Sequence, residues 1–410
     1  MDVEKRRKAE GHPGKKTIEF ENEILDCYGR REFELLIEEN ESMFRDWESK
    51  IGPMLENGPR GRVSNEQLAE GLGLSVNCVS GFRHAIPAKR RSVIMMAVLL
   101  RLSVPETNEL LSSWAKYQKL YAKHPEDAIF IYILNNGGSD HPKALFEAYW
   151  DIYTGLRKQE LRKRSAAVRM DTMVLEERIG RVRRADGVNP QADLEFMEMM
   201  REYIQTYEDG YQKLADYIEA QFIRVCESHT GLLTEEELSR LKENKKITAN
   251  ILFRNDKSYK NRYYNRIRNI RRKHEVPKRA FLISMGIRLA MNTAQINKML
   301  WLAGMQPLCA KDRLESALIF YLEELYLYYP SFFRQNTHDM EGEDALRDCT
   351  LEELEALGED GPMLRFDRQT EAPSERMMSY IRRCLEESRI FSDDDRQRED
   401  SDLNEFLGLL

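Results

Sequence analysis

A small polar face on one predicted helix carries residue types that suit contacts with base edges. At about 100° per residue, Asn77, Ser80 and His84 point roughly opposite to Val79, and the face between them is unobstructed. Amide and hydroxyl groups hydrogen-bond to base edges in the DNA major groove, which admits a helix. The spacing therefore predicts that the helix over 75–84 contacts bases through these three side chains.

Cations follow this face closely along the chain. Backbone phosphates lie beside a helix that enters the groove, and arginine and lysine are their usual partners. We therefore expect cationic side chains to hold phosphates around the reading face. These residues are Arg83, Lys89, Arg90 and Arg91.

A second cationic segment spans 257–279 and is the strongest electrostatic feature of the chain. It holds ten lysines and arginines, three tyrosines and a single acidic residue, Glu275. Basic side chains release counterions from phosphates, and tyrosines stack on bases or hydrogen-bond to the backbone. Two alternatives stay open: a solvated helix face, and a docking surface for an acidic tail. The residues expected to bind nucleic acid are Lys260, Arg262, Tyr263, Arg266, Arg268, Arg271, Arg272 and Lys273.

The reading face requires two short helices that cross at a tight turn within 64–84. Ser64 and Gln67 form an S-x-x-Q capping box that would start the first helix. Gly73 falls where the chain must leave that helix in a left-handed conformation, which glycine adopts without penalty. Ala69 is small where the helix axes approach each other. The apolar positions expected to bury the crossing are Leu68, Leu72, Leu74, Val79 and Phe82.

This segment resembles the helix-turn-helix of Cro/repressor-type (XRE-like) DNA-binding domains, through Ala69, Gly73 and Val79 with apolar residues at the family's positions. The resemblance implies a five-helix domain that binds double-stranded DNA. An ordinary helical hairpin, or a repressor-like fold retained for protein contacts, remains the alternative. The first, fourth and fifth helices of the domain would lie near 43–56, 89–103 and 105–115.

The first repressor-like module, 37–136, has a degenerate second copy at 228–330. The stretch WAKYQKLYAKHPEDAIFIY returns about 190 residues later as LAGMQPLCAKDRLESALIFY, with shared residues at matching steps. The second copy has no glycine between Gly231 and Gly286, so it lacks the glycine turn. We therefore expect it to hold phosphates rather than to read bases.

The whole chain is predicted to be all-α, since helix-forming residues are abundant and β-type alternation is scarce. Between the modules, 137–227 is expected to form a long antiparallel helical hairpin. Its apolar stripes would pack together as a coiled coil or form a homodimer contact, and both options stay open. A basic arm and leading helix, 1–36, precede the first module, and an acidic, partly disordered tail, 331–410, follows the second.

The charge distribution and the cysteine spacing further restrict the class of protein and its cellular compartment. Residues 336–410 hold 22 acidic and 9 basic side chains, whereas the whole chain has a net charge of −7, so a mildly basic body carries an acidic tail. The six cysteines are dispersed without zinc-finger or disulfide-framework spacing, which favours a reducing cytoplasm. The sequence has no long apolar run and no secretory signal, so we expect no membrane partner.

No catalytic, metal-ligand or cofactor motif stands out, so we expect a binding protein rather than an enzyme, with no cofactor. The favoured interpretation is a cytoplasmic bacterial or phage transcriptional regulator that binds double-stranded DNA. RNA remains open, because tyrosine beside arginine suits unpaired bases. The alternative is a non-catalytic nucleic-acid- or protein-binding subunit of a phage-defence or mobile-element complex. The target sequence, any inducing ligand and the oligomeric state do not follow from the sequence.

Overall fold

The computed structural model describes residues 17–44, 47–160, 172–182, 193–203, 210–228, 235, 257–273, 275–330, 352, 373–398 and 401–410. Within these ranges the chain is helical and has no β-strand, so the all-α class is confirmed. None of the described helices combines the length and the apolar composition that crossing a membrane requires. The predicted basic arm at 1–16 lies outside the described residues.

The described helices are numbered here in chain order. They are α1 Thr17–Leu25, α2 Arg30–Glu39, α3 Trp47–Asn57, α4 Asn65–Leu72, α5 Val76–Ser80, α6 Arg90–Leu99, α7 Val104–Glu109, α8 Pro125–Asn135, α9 Pro142–Glu160, α10 Thr172–Arg181, α11 Leu194–Tyr203, α12 Gly210–Ser228, α13 Lys257–Lys273, α14 Arg279–Arg288, α15 Thr293–Leu302, α16 Arg313–Tyr328, α17 Pro373–Glu387, α18 Asp393–Gln397 and α19 Asp402–Leu407. A π-helix, Leu110–Trp114, continues α7, and short 3-10 helices occur at Glu41–Met43 and Gly81–Arg83.

The chain folds into two compact units. The central unit is Asp46–Gly210, and the flanking unit combines Met1–Arg45 with Tyr211–Leu410. This division differs from the predicted one, in which 137–227 is a separate hairpin. Helices α9, α10 and α11 belong to the central unit, together with the predicted first module, and nearly all of α12 belongs to the flanking unit.

Helix α8 explains why the predicted hairpin helices join the central unit. Nearly every residue of α8 is buried, and a helix that is apolar on all sides must be surrounded. Helices α6, α9, α10 and α11 all pack on it. Phe130 stacks on Phe146 of α9 with 4.5 Å between ring centroids, and Tyr132 stacks on Phe196 of α11 with 3.9 Å. The helices expected to stand apart as a hairpin are therefore core elements.

The apolar stripes of the predicted hairpin face inward. Leu145 and Tyr149 are buried in the central unit, and Leu214 and Ile218 are buried in the flanking unit. These four side chains therefore pack within their own units. The homodimer contact that their spacing predicts stays a prediction.

The flanking unit is built around α16, which is buried along most of its length and packs with α1, α15 and α17. Phe33 of α2 stacks on Phe320 of α16 with 4.3 Å between ring centroids. The acidic C-terminal segment also contributes apolar surface. Tyr380 and Leu385 of α17 are buried, as are Leu403 and Phe406 of α19, a helix that packs on α14. The described part of the predicted tail is thus folded into this unit.

Candidate nucleic-acid interface

The central unit contains the predicted pair of short helices and the turn between them. At the start of α4 the Ser64 Oγ accepts a hydrogen bond from the Gln67 N–H at 3.3 Å, and the Gln67 Oε1 accepts one from the Ser64 N–H at 2.9 Å. The helix ends at Gly73, whose φ of 62° lies in the left-handed region. The predicted capping box and glycine turn are therefore confirmed. Helix α5 begins shortly afterwards with Ser75 as its N-cap.

The glycine turn leads to a testable prediction. A Cβ atom at Gly73 would lie 2.6 Å from Cδ of Lys143, but that flexible side chain can move away. The backbone conformation then sets the cost, and we expect Gly73→Ala to lower the free energy of unfolding of the central unit by about 1–2 kcal/mol in urea. At Gly52 a Cβ would meet nothing within 4 Å, so Gly52→Ala should be neutral or stabilising. Equal losses in the two variants would contradict a role for the turn.

A second glycine brings the backbone of α4 close to the start of α9. A Cβ atom at Gly71 would lie 3.1 Å from both the carbonyl oxygen of Asp140 and Cδ1 of Leu99, and 3.4 Å from Cδ of Pro142. The absence of a side chain permits this approach. Helix α4 therefore packs directly against the segment that leads into α9.

The core beneath the two helices matches the prediction in most positions. Leu68, Ala69, Leu72 and Val79 are all buried. Leu74 differs, because 39% of its surface is exposed. It lies in the turn, between the left-handed residue and the N-cap of α5, and part of its side chain stays at the surface. The remaining predicted core residue, Phe82, is half-buried.

Helix α5 is shorter than the predicted helix over 75–84. Its five residues are followed by the 3-10 turn Gly81–Arg83. Asn77 is exposed, and the half-buried Ser80 donates through its Oγ to the Asn77 carbonyl at 2.9 Å. His84 is exposed, with its Nδ1 3.0 Å from Oε1 of Glu48. The expected polar face is thus present at the surface of the central unit, although one of its members is engaged by a carboxylate.

Most of the flanking cations are held by partners inside the central unit. The guanidinium of Arg83 donates to Asn65 at 3.1 Å and to Glu56 at 3.3 Å. Arg91 pairs with Glu126 and lies over the ring of Phe146. Lys89 is exposed and forms no ion pair with the described residues. It is therefore the predicted phosphate ligand that the central unit leaves most accessible.

Arg90 has a structural role, which corrects the expectation that it holds phosphate. Its guanidinium forms a two-point ion pair with Asp127 at 2.7 and 2.9 Å, and it donates to the carbonyls of Gln118 and Lys119, each at 3.0 Å. Burial alone would raise the pKa of Asp127, but the charge of Arg90 and hydrogen bonds from His124 and Arg90 lower it to about 2. We call this arrangement the arginine clasp.

The flanking unit contains a second arginine clasp. Arg279 pairs with Glu315 at 2.6 and 2.8 Å and donates to the carbonyls of Gln306 and Pro307 at 2.6 and 2.7 Å. Burial opposes the charge of Arg279, yet the Glu315 carboxylate raises the pKa of this guanidinium. Arg279 therefore does not share the phosphate-binding role predicted for the segment 257–279. Just before it, Lys278 pairs with Glu405 of α19 at 2.7 Å.

Helix α13 presents a cationic face and a buried face. Ile267 and Ile270 are buried, whereas Arg268, Arg272 and Lys273 are exposed and form no ion pair within the described part of the chain. At one end of this face, the exposed Arg266 lies over the ring of Phe281, 5.6 Å from its centroid. The predicted ligands Lys260, Arg262 and Tyr263 also belong to α13, but their side chains lie outside the described residues.

Arg271 belongs to the packed side of α13, contrary to its predicted contact with phosphate. It donates to Glu219 at 2.6 and 2.7 Å and to Asp216 at 2.7 Å, both on α12. The hydrogen bond to Glu219, against some burial, raises the pKa of the guanidinium. These acidic partners could not be recognised from the sequence, because they lie about 50 positions earlier in the chain. No local pattern around Arg271 distinguishes it from Arg272.

Comparisons with known proteins give no relative of this chain. No family model matches it, and no curated protein and no solved structure does so either. The resemblance to Cro/repressor-type domains therefore stays a prediction that rests on the residues of 64–84 and on the helices around them.

Proposed function

We propose that this chain is a DNA-binding transcriptional regulator of the cytoplasm, a binding protein rather than an enzyme. The observation that carries the proposal is the exposed face of α5, which follows a capped helix and a left-handed glycine turn. Asn77 and Ser80 are short, polar and uncharged, so they can approach base edges without a large desolvation cost. In this proposal α5 reads the base sequence.

The cationic face of α13 supplies binding that does not depend on sequence. Arg268, Arg272 and Lys273 are exposed, and none of them is neutralised by a described carboxylate. Each contact that such a cation makes with a phosphate releases condensed counterions, which favours association at low salt. Lys89, nine residues after the end of the reading helix, adds one more accessible cation. Arg83, Arg90 and Arg271 take no part, because internal partners hold their guanidinium groups.

This division of roles predicts different results for two substitutions. Asn77→Ala should cost about 1–3 kcal/mol on the preferred duplex and reduce the preference for it over random duplex. Arg272→Ala should weaken binding to every duplex and reduce the salt-dependence slope by about 0.9. Fluorescence anisotropy on preferred and random duplexes, at several salt concentrations, measures both effects.

Matched control variants come from helices outside the proposed interface. Asn22 is an exposed asparagine on α1, and Arg31 is an exposed arginine on α2. Asn22→Ala and Arg31→Ala should leave affinity and salt slope unchanged. If Asn77→Ala and Arg272→Ala weakened binding to random duplex equally, the division of roles would be wrong. Unpaired RNA in the same titrations tests the RNA alternative, which predicts tighter binding to RNA than to duplex DNA.

A second candidate function, an adaptor that contacts proteins, is favoured by the apolar surroundings of α5. Leu74 is 39% exposed and Val76 is 41% exposed, and both flank the reading face. An adaptor has no need of the cations on α13. It therefore predicts that random duplex leaves the gel-filtration elution of both the wild-type chain and the Arg272→Ala variant unchanged at low salt. The regulator proposal predicts earlier elution of the wild type with duplex and a smaller change for the variant.

A further inference from the structure

The two units contain the same local framework, and its hydrogen bonds correspond one by one. The arginine clasp is the first shared element, since Arg90 and Arg279 each bind one buried carboxylate and two successive loop carbonyls. An asparagine on the next helix and the loop after it repeat the match. The side chain of Asn108 accepts a hydrogen bond from the Leu120 N–H, and Asn297 accepts one from the Leu308 N–H, each at 2.8 Å. The carboxylate of each clasp also accepts a backbone N–H, Asp127 from Tyr121 at 2.9 Å and Glu315 from Cys309 at 2.7 Å.

Backbone conformation repeats as well. Helix α6 is followed by Arg101 with φ 59°, and α14 is followed by Ala290 with φ 48°. Non-glycine residues rarely adopt a left-handed conformation, so its presence at the same place in both units is specific. The next helix then begins with a capping box in each unit, formed by Ser103 with Glu106 and by Asn292 with Gln295.

The π-helix marks a one-residue insertion in the central unit. Asn108 corresponds to Asn297, 189 positions later, whereas Leu120 corresponds to Leu308, 188 positions later. Between these pairs, the Ala115 N–H donates to the Leu110 carbonyl five residues back, while its counterpart Ala303 donates to Met299 four residues back. A π-turn accommodates one extra residue in this way. The two units therefore hold two copies of one framework.

The helices that precede the two copies differ in chemistry. Before α6 stands α5, with five residues and an uncharged polar face. Before α14 stands α13, with 17 residues and the cationic face of Arg268, Arg272 and Lys273. The uncharged face of α5 suits contacts with base edges, whereas cations that contact phosphates, the role proposed for α13, carry no sequence information. One chain thus offers one reading helix and one sequence-independent helix.

We infer that this chain recognises a non-palindromic DNA element and that a single chain binds it. The inference rests on the proposed function and specifies its ligand. A palindromic site mirrors a two-fold symmetric pair of reading helices, whereas duplication within one chain followed by divergence gives two unequal contacts. The apolar stripes that would pair two chains are buried inside the units at Leu145, Tyr149, Leu214 and Ile218.

Selection from random duplexes tests the inference. The full chain is incubated with a pool of DNA duplexes that share a randomised core, at about 50 mM salt, and retained duplexes are sequenced. We expect one motif that differs from its reverse complement. Scrambling that motif should weaken binding about 1,000-fold or more, down to a sequence-independent level. Native mass spectrometry of the chain with the selected duplex should give one chain per duplex.

The variants separate the two contributions. Asn77→Ala should reduce the preference for the motif but keep the binding to scrambled duplex. Arg272→Ala should keep the preference for the motif but weaken binding to both duplexes. A palindromic motif, or two chains on one selected duplex, would overturn the inference while leaving the proposed function in place. Retention of no duplex at all would overturn the proposed function and the inference together.

Discussion

Replacement of Arg90 by alanine should lower the free energy of unfolding of the central unit by about 3–5 kcal/mol. The side chain of Asp127 is only 4% exposed, so the substitution leaves a buried carboxylate without its countercharge. The carbonyls of Gln118 and Lys119 lose their donor at the same time. Arg90→Lys should restore little, because a lysine supplies a point charge and cannot reach both carboxylate oxygens and both carbonyls in one geometry.

Tryptophan fluorescence during urea unfolding measures this loss. Trp47, Trp114 and Trp150 lie in the central unit and Trp301 lies in the flanking unit, so a Trp301→Phe background reports on the central unit alone. The neighbouring arginine provides the control. It pairs with Glu126 at a more exposed position, and Arg91→Ala should cost less than about 1 kcal/mol. Equal losses in the free energy of unfolding for Arg90→Ala and Arg91→Ala would show that the clasp stabilises the central unit no more than an exposed ion pair does.

Substitution of Glu324 by glutamine should remove a pH dependence from the flanking unit. Glu324 is buried on α16 and accepts a hydrogen bond from the Tyr380 hydroxyl of α17. Burial raises the pKa of Glu324 from 4.5 to about 7, although that hydrogen bond and the charge of Arg30 oppose the change. The folded chain therefore binds one more proton than the unfolded chain between pH 4.5 and about 7.

The sign of the effect follows from this extra proton. The contribution of Glu324 to stability is fully present below pH 4.5 and is lost as the pH rises through about 7, a total of about 3 kcal/mol. The glutamine is neutral at every pH, so Glu324→Gln should exceed the wild type by about 3 kcal/mol at pH 8 and equal it near pH 4. Urea unfolding followed through Trp301 measures the difference between the two proteins.

The adjacent residue again provides the control. Glu323 is half-buried on the same helix, and Glu323→Gln removes a carboxyl group while leaving the hydrogen bond between Tyr380 and Glu324 in place, so it is measured at the same pH values for comparison. If Glu324→Gln differed from the wild type by a constant amount across this pH range, the Glu324 carboxyl group would titrate alike in the folded and unfolded chains. Burial would then not govern its pKa.

The features that could be predicted from the sequence depend on neighbours along the chain. The capping box joins Ser64 to Gln67 across three residues, and the left-handed turn depends on Gly73 alone. Helical periodicity placed Asn77 at the surface and Val79 in the core for the same reason. Such features can be predicted without the rest of the fold, because the geometry of a single helix determines which of its side chains share a face.

The roles of the arginines could not be predicted, because they depend on contacts between distant segments. Arg90 meets Asp127 across 37 positions, and Arg271 meets Glu219 across 52. The type of a residue identifies a cation but not its partner. Arg271 and Arg272 are adjacent arginines in the sequence, yet Arg271 pairs with Asp216 and Arg272 is exposed. One signal in the sequence could have indicated the partners in the two clasps. An acidic residue, Asp127 or Glu315, follows a Lys-Arg pair at nearly the same distance in both copies.

The packing at Gly71 links the orientation of α4 to α9. At Gly71 the backbone of α4 has no side chain of its own between it and the carbonyl of Asp140 or the ring of Pro142. Since close-packed interiors have little room to deform, α4 cannot tilt without displacing the start of α9. A shift at the start of α9 would consequently also displace α4 and the helix α5 that follows it.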